Sequence, residues 1–568
     1  MTRLNPALGV GLAALALASC SRSRIEPVPA AESGPLAETA SPPEPAPVEP
    51  VAAAEAEDGS ILITGTRIPR PNLESAVPIT VVGDSAAARR AAKSAAGQAP
   101  APAPPPVAVM SQRIASPNVQ AWQPPFNPPD VGRDRFTSVS ENPFRVAAEE
   151  PVSTFSIDVD SASYSWVRAS LSQNVLPQPA AVRTEEMINY FPYDYAAPKS
   201  AAQPFSNHIS VFPSPWAPGR KLVRIGIKGF DVRRAVRPRA NLVFLVDTSG
   251  SMNEANKLPL VKQSLAMLLD QLGENDRVAI VTYAGSAGTA LEPTPASDKA
   301  RILSVIDRLG AGGSTAGAEG IRQAYALAER NLDPKGVNRV ILATDGDFNV
   351  GITDPNELKG FVERERGKGV FLSVLGFGMG NYNDALMQTL AQNGNGAAAY
   401  IDTVAEARKT LVDEATSTLF PIAKDVKIQV EFNPATVAEY RLVGYETRML
   451  AREDFDNDKV DAGEIGSGQS VTALYEIVPV GGPRVIGDLR YSTPVGRPAG
   501  TGGEYGFVKI RYKLPKSDVS RLISAPIDRS SEAVRFADAP RDARFAAGVA
   551  AFAELLRGGK YSGSMSYD

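Results

Sequence analysis

Between residues 241 and 420, short apolar runs alternate with helical repeats, and no other feature constrains the fold as much. NLVFLVD, RVAIVTYAG, NRVILATDGD and VFLSVLGFG have strand length and are apolar along most of it. LPLVKQSLAMLLDQL, KARILSVIDRL, IRQAYALAERN and NELKGFVERERGK carry apolar residues at helical spacing, and a last βα unit lies around AAYIDTVAEARKTL. A continuous apolar strand is one buried on both faces, as in a parallel sheet. The expected fold is therefore α/β: a doubly wound, mostly parallel sheet with helices on both faces. Ligands in that architecture bind at the carboxyl ends of strands, near a topological switch point.

Three strand ends carry polar residues that such a core does not need. The run Val243 to Val246 goes straight into Asp247, Ser249 and Ser251; the glycine-rich turn GAGGSTAGAEG presents Thr315; VILATDGD ends in Thr344, Asp345 and Gly346. Together they offer two carboxylates and three hydroxyls, with no nitrogen or sulfur ligand. Hard oxygen donors with few charges favour Mg²⁺, with Mn²⁺ or Ca²⁺ as substitutes. Two carboxylates balance the ion's charge but leave its coordination incomplete, and a partner's Asp or Glu could fill the open position.

Asp247-Thr248-Ser249-Gly250-Ser251, Thr315 and Thr344-Asp345-Gly346 resemble the metal-ion-dependent adhesion site of von Willebrand factor type A domains. The resemblance implies that Ser249, Ser251 and Thr315 touch the metal directly or nearly so, and that Asp247 and Asp345 act largely through bound water. All five are metal-site candidates; Asp347 and Asn349 lie just past them. The flanking segments TFSIDVDSASYSWVR, RTEEMINYFPYDY and VDAGEIGSGQSVTALYEI look like those of a bacterial subfamily of secreted type A proteins. That subfamily continues beyond a motif like KYSGSMSYD, so the last domain is expected to be incomplete.

The rest of the chain reads as flanking parts. Residues 1–19 have the apolar core of a signal peptide, and LASC closes it as in a bacterial lipobox, which makes Cys20 the lipidation candidate. Ser21 favours sorting to the outer membrane of a Gram-negative cell. Residues 20–145, rich in Ala, Pro, Glu and Ser, read as a disordered tether. One island in it, Ile61 to Val82, resembles the start of the plug domain of TonB-dependent receptors. Residues 146–240 read as an N-terminal region associated with the type A domain; within it TFSIDVDSASYSWVRASL (154–171) reads as an alternating strand leading into a helix that Ser161 or Ser163 would cap. Residues 421–515 alternate with period two in DVKIQVEFN, EYRLVGYE, SVTALYEIVPV, RVIGDLRYS and GFVKIRYKL, as in a small β-sandwich. Residues 516–568 are expected to be helical, with RFAAGVAAFAELLRG needing a surface to pack on.

Composition removes most other functions. The chain has one histidine, His208, and one cysteine, Cys20, among 568 residues, too few for a catalytic triad or a zinc site. A net charge of −4 gives no basic footprint for nucleic acid. No nucleotide-binding P-loop occurs. No paired carboxylates at glycosidase spacing stand out, so no enzyme is expected. DFDNDKVDAGE (454–464) has the acids of a calcium loop without its glycine and closing glutamate, and a solvated hairpin is the default. The resulting expectation is a lipid-anchored cell-envelope protein whose type A domain binds a protein partner through Mg²⁺. The alternative is a structural envelope protein making metal-independent contacts through its β domain.

Overall fold

Four short strands lead in from the N-terminal side: β1 (Arg145–Val146), β2 (Val152–Ser156), β3 (Phe205–Pro213) and β4 (Lys221–Gly229). The computed structural model that places them describes residues 134–232, 237–314, 317–346, 355–487 and 503–567, all within one compact unit, Ala121–Asp568. The signal-peptide segment, Cys20, the island at Ile61 and the tether as far as residue 133 lie outside the described residues. The expected tether end at 145 is corrected: Asp134 Oδ1 accepts from the Gly380 and Tyr382 N–H groups, the Asn142 amide donates to the Gly444 carbonyl, Phe144 is buried and Arg145 pairs in β1, so 134–145 belong to the fold.

The central sheet comprises β5 (Ala240–Asp247), β6 (Arg277–Tyr283), β7 (Ala287–Pro295), β8 (Val337–Thr344), β9 (Val370–Phe377) and β10 (Ala398–Ile401). Its order is β10-β9-β8-β5-β6-β7. All pairs are parallel except β6 with the edge strand β7, an antiparallel hairpin that the apolar pattern did not reveal. Every residue of β5 and β8 is buried, as the unbroken apolar runs require. Val243 and Leu245 face Ile321 and Ala324 on one side. Leu242, Phe244 and Val246 face Val261 and Leu265 on the other. Each such side chain contributes about 1.5–3 kcal/mol when fully buried. The chain leaves β5 toward β6 and leaves β8 toward β9, so the switch point lies between β5 and β8.

The sandwich is discontinuous in sequence. Its remaining strands are β11 (Pro421–Phe432), β12 (Val437–Val443), β13 (Met449–Leu450), β14 (Gly463–Gly466), β15 (Ser470–Pro479), β16 (Glu504–Lys513) and β17 (Ser520–Asp528). One sheet runs β1-β12-β15-β4-β3 and the other β13-β2-β11-β16-β17. Residues 146–240 therefore do not form a separate region: they supply strands to both sheets, and the type A domain is inserted within the sandwich. The boundary at 515 also moves, because β17 continues the second sheet into the segment expected to be helical. Of RVIGDLRYS, residues 484–487 are not strand and the rest lies outside the described residues.

Two helices close the assembly. Ala162–Ser172 begins after Ser161, but neither Ser161 nor Ser163 caps it with a side chain. The Ser163 N–H instead donates to Glu186 Oε2 at 2.8 Å, and the Ser163 hydroxyl donates to the Ala181 carbonyl. A carboxylate from a distant turn thus replaces the local cap. Arg541–Arg557 buries an alanine face, including Ala543, Ala546, Ala547, Ala550 and Ala553. That face packs on Tyr193 and Leu474, on Phe212 and Trp216, and on Val167 and Met187. Small side chains let this long helix lie close to the sandwich, which answers its need for a packing surface.

Candidate functional site

At the end of β5 the chain turns on its own acid. The Ser249 N–H donates to Asp247 Oδ1 at 2.9 Å, which folds the loop back over the carboxylate. The Thr248 N–H and hydroxyl both donate to the Tyr283 carbonyl, at 2.9 and 3.1 Å. Tyr283 stands beside Asp247 in the β5–β6 register. Gly250 N–H reaches the Gly313 carbonyl at 3.0 Å, and Gly312 N–H the Thr248 carbonyl at 2.8 Å. These bonds tie the glycine-rich turn to the DTSGS loop. The Ser249 and Ser251 hydroxyls then lie 3.1 Å apart.

The end of β8 completes the group. Thr344 Oγ1 donates to Asp247 Oδ2 at 3.2 Å and accepts from the Gly346 N–H at 3.1 Å. Gly346 has φ +99°, and a Cβ there would sit 2.6 Å from the Asn383 nitrogen. Only glycine fits that turn. Asp345 is fully buried, and its Oδ2 accepts from Lys257 Nζ at 3.1 Å. The structure thus brings Asp247, Ser249, Ser251 and Asp345 together at the switch point. Thr315, Asp347 and Asn349 lie outside the described residues.

Burial dominates the electrostatics here. It pushes the Asp247 carboxyl up to about 6, against the bonds from Ser249, and the nearby Asp345 adds to the rise. Asp247 forms no ion pair among the described residues; its partners are an N–H and hydroxyls. A buried carboxylate held by neutral donors is the kind of group that gains most from a cation.

Sequence reading missed Lys257 and its neighbour Asn381. Lys257 precedes the helix Leu258–Leu269 with nothing in the local sequence to mark it, and only the fold brings it to Asp345. It also missed a second acidic cluster, Asp158, Asp160 and Glu186, all buried. There Arg448 bonds Asp158 at 2.9 Å and Asp160 at 3.1 Å, while Arg183 bonds Glu186 and clasps Asp384 with both terminal nitrogens. The Ala398 N–H at β10 donates to Asp160 Oδ1, so this cluster stitches the type A domain to the sandwich.

The other candidates have structural roles. His208 Nε2 lies 3.0 Å from the Ala196 carbonyl, and its ring stacks on Tyr195. The acids of 454–464 meet cations of the protein: Arg511 reaches Asp456 and Asp458, and Lys513 bonds Asp425 and the Asp458 carbonyl. Lys427 bonds the carbonyls of Asp454 and Asn457.

Comparison with known proteins matches three stretches of the chain. Residues 241–414 match the von Willebrand factor type A domain, residues 130–224 a model described as von Willebrand factor, and residues 417–568 one described as "Uncharacterized protein YfbK, C-terminal". The chain is 44% identical over 444 residues to "Uncharacterized protein YfbK" of Escherichia coli (strain K12), covering 77% of this chain and 76% of that one. It is 31% identical over 170 residues to "Uncharacterized protein sll0103" of Synechocystis, covering 30% and 39%. A von Willebrand factor type A structure from Catenulispora acidiphila is 16% identical, with 59% of this chain and 74% of that one covered and a TM-score of 0.38. Fold and strand-end motif define a von Willebrand factor type A protein. Within that class the chain belongs to the bacterial YfbK family, in which the type A domain is followed by a YfbK C-terminal domain.

Proposed function

We propose that the type A domain binds a protein partner through a divalent cation, Mg²⁺ by preference, held at the ends of β5 and β8. One observation carries the reading: the fully buried Asp247 carboxylate faces neutral donors, beside two hydroxyls 3.1 Å apart and a second buried carboxylate. The donor set fits a hard cation, being all oxygen. Asp247, Ser249, Ser251 and Asp345 would hold the ion, with Thr315 from the glycine-rich turn. The bound ion supplies an electrophilic position for a carboxylate oxygen of the partner's Asp or Glu. The chain's own part is to orient that position: the Asp247–Ser249 turn and the Thr344–Asp247 bond fix the acid, and the bonds to Gly312 and Gly313 hold the rim. The work of the site is ligation, not catalysis, since the chain's histidine is engaged in the sandwich.

A second reading places the partner on the β domain, favoured by edge strand β17, where Leu522 is 55% exposed. One experiment separates the two. Residues 121–568 are used to pull partners from an envelope extract in Mg²⁺ and in EDTA, alongside Asp247→Ala. A partner kept only by the wild type in Mg²⁺ is the expected result. A partner kept equally in all three would sink the cation mechanism and move the contact to the sandwich.

The lipobox-like LASC supports a lipid anchor on Cys20 and a place in the outer membrane. Cys20→Ser is expected to move the protein from the membrane to the soluble fraction; unchanged fractionation would rule the anchor out.

A further inference from the structure

Lys257 brings a positive charge into a site otherwise built of oxygen. Its ammonium donates to Asp345 Oδ2 at 3.1 Å and lies 3.5 Å from Asn381 Oδ1, and the residue is only 4% exposed. The placement is built in. Lys257 is the N-cap residue of Leu258–Leu269, with φ −117° and ψ −112°, outside the common helical and extended regions. Its carbonyl accepts from the Val261 N–H, which fixes the stem's origin. Gly378, at φ +73°, leaves the channel for that stem: a Cβ there would lie 2.4 Å from Lys257 Cε. Two elements, the helix start and the turn after β9, therefore hold an ammonium against Asp345.

The charge balance follows. Among the described residues, Asp247 and Asp345 supply two negative charges, and Lys257 offsets one of them. A divalent cation entering the free protein meets a net charge of about −1 rather than −2, together with a direct repulsion from the ammonium. We propose that Lys257 is an internal counter-ion that holds down the affinity of the free protein for a divalent cation. The inference rests on the cation reading of this site. Its consequence is linkage: a partner carboxylate restores the missing negative charge, so cation and acidic partner each raise the other's affinity by the same factor. An acidic partner is thereby preferred over a neutral one, and the unliganded protein keeps Asp345 satisfied without metal.

The test is Mn²⁺ binding to the full chain, followed by electron paramagnetic resonance, for wild type, Lys257→Met, Lys257→Gln and Asp247→Ala. Melting curves in EDTA establish that each is folded, and the glutamine variant serves if methionine does not pack. Both neutral variants are expected to bind Mn²⁺ about tenfold tighter or more, and Asp247→Ala to lose binding. Equal affinity in wild type and the neutral variants, with loss in Asp247→Ala, overturns the role of Lys257 and leaves the cation site standing. Weaker binding by the neutral variants overturns it as well, because Lys257 would then be supporting the site. Absence of Mn²⁺ binding in all four chains overturns the cation reading and this inference with it.

Discussion

Two of the buried acidic clusters in this protein are finished differently. At the seam between the type A domain and the sandwich, arginines answer the carboxylates. Arg448 spans Asp158 and Asp160, Arg183 spans Glu186 and Asp384, and backbone N–H groups of Asp160, Ser163 and Ala398 take further oxygens. A guanidinium fork matches carboxylates in fixed geometry and cannot be deprotonated, so it makes a permanent joint. At the ends of β5 and β8, neutral donors hold Asp247 and an ammonium meets Asp345. A lysine is a point charge on a flexible stem, a weaker and more replaceable counter-ion. The same residue types thus make a fastening in one place and an unfinished site in the other. What separates them is the cation each cluster is given.

The sharpest way to break this contrast is to remove a fork. Arg183→Met would leave Glu186 and Asp384 buried without their cation, and burial already raises Glu186 against the opposing pull of Arg183. Breaking a buried pair from one side costs about 3–5 kcal/mol. Urea unfolding should show a loss of that size, while Mn²⁺ binding by the folded fraction stays at its wild-type value. A loss under about 1 kcal/mol, the range of exposed pairs, would mean that the seam is solvated and the comparison is mistaken.

How much of this was legible depends on how local the signal is. The sheet and its functional edge could be read because LVFLVDTSGS and VILATDGD each place strand, turn and donors in one short stretch. The sandwich was readable as strands but not as a partnership. Period-two alternation marks β2 and β4 as strands, and it carries no information about pairing with β11 or β15 across the inserted domain. The seam was invisible for the same reason: Arg448 meets Asp158 and Asp160 from nearly three hundred residues away. Lys257 lies close to the motif in sequence, yet a lysine before an apolar helix is ordinary, and only the turn at Gly378 gives it a channel. The helix at Ala162 formed as its local sequence implies, but its serine cap did not, because Glu186 takes the Ser163 N–H instead.

Glu185 gives the smallest test, and it is an unmatched acid beside the seam. The residue is fully buried and neither carboxyl oxygen makes a normal hydrogen bond. Burial pushes it up to about 8, with Glu446, Asp158 and Glu186 adding to the rise and the Tyr445 N–H opposing it. The sign is the reverse of ordinary acid denaturation. Between the usual glutamate value near 4.5 and about 8, the native protein keeps a proton that the unfolded chain has released. Its contribution to stability is therefore full below that window, falls as pH rises through it and levels off above it. Glu185→Gln removes the titration and keeps the shape. The variant should match wild type at pH 4 and be the more stable of the two at pH 9, with the gap opening across that window. Parallel stability–pH curves for the two proteins would mean that Glu185 is ionised and paired at neutral pH. Glu185 would then be a matched acid like Asp158 and Glu186, and the difference between the two clusters would rest on the lysine at Asp345.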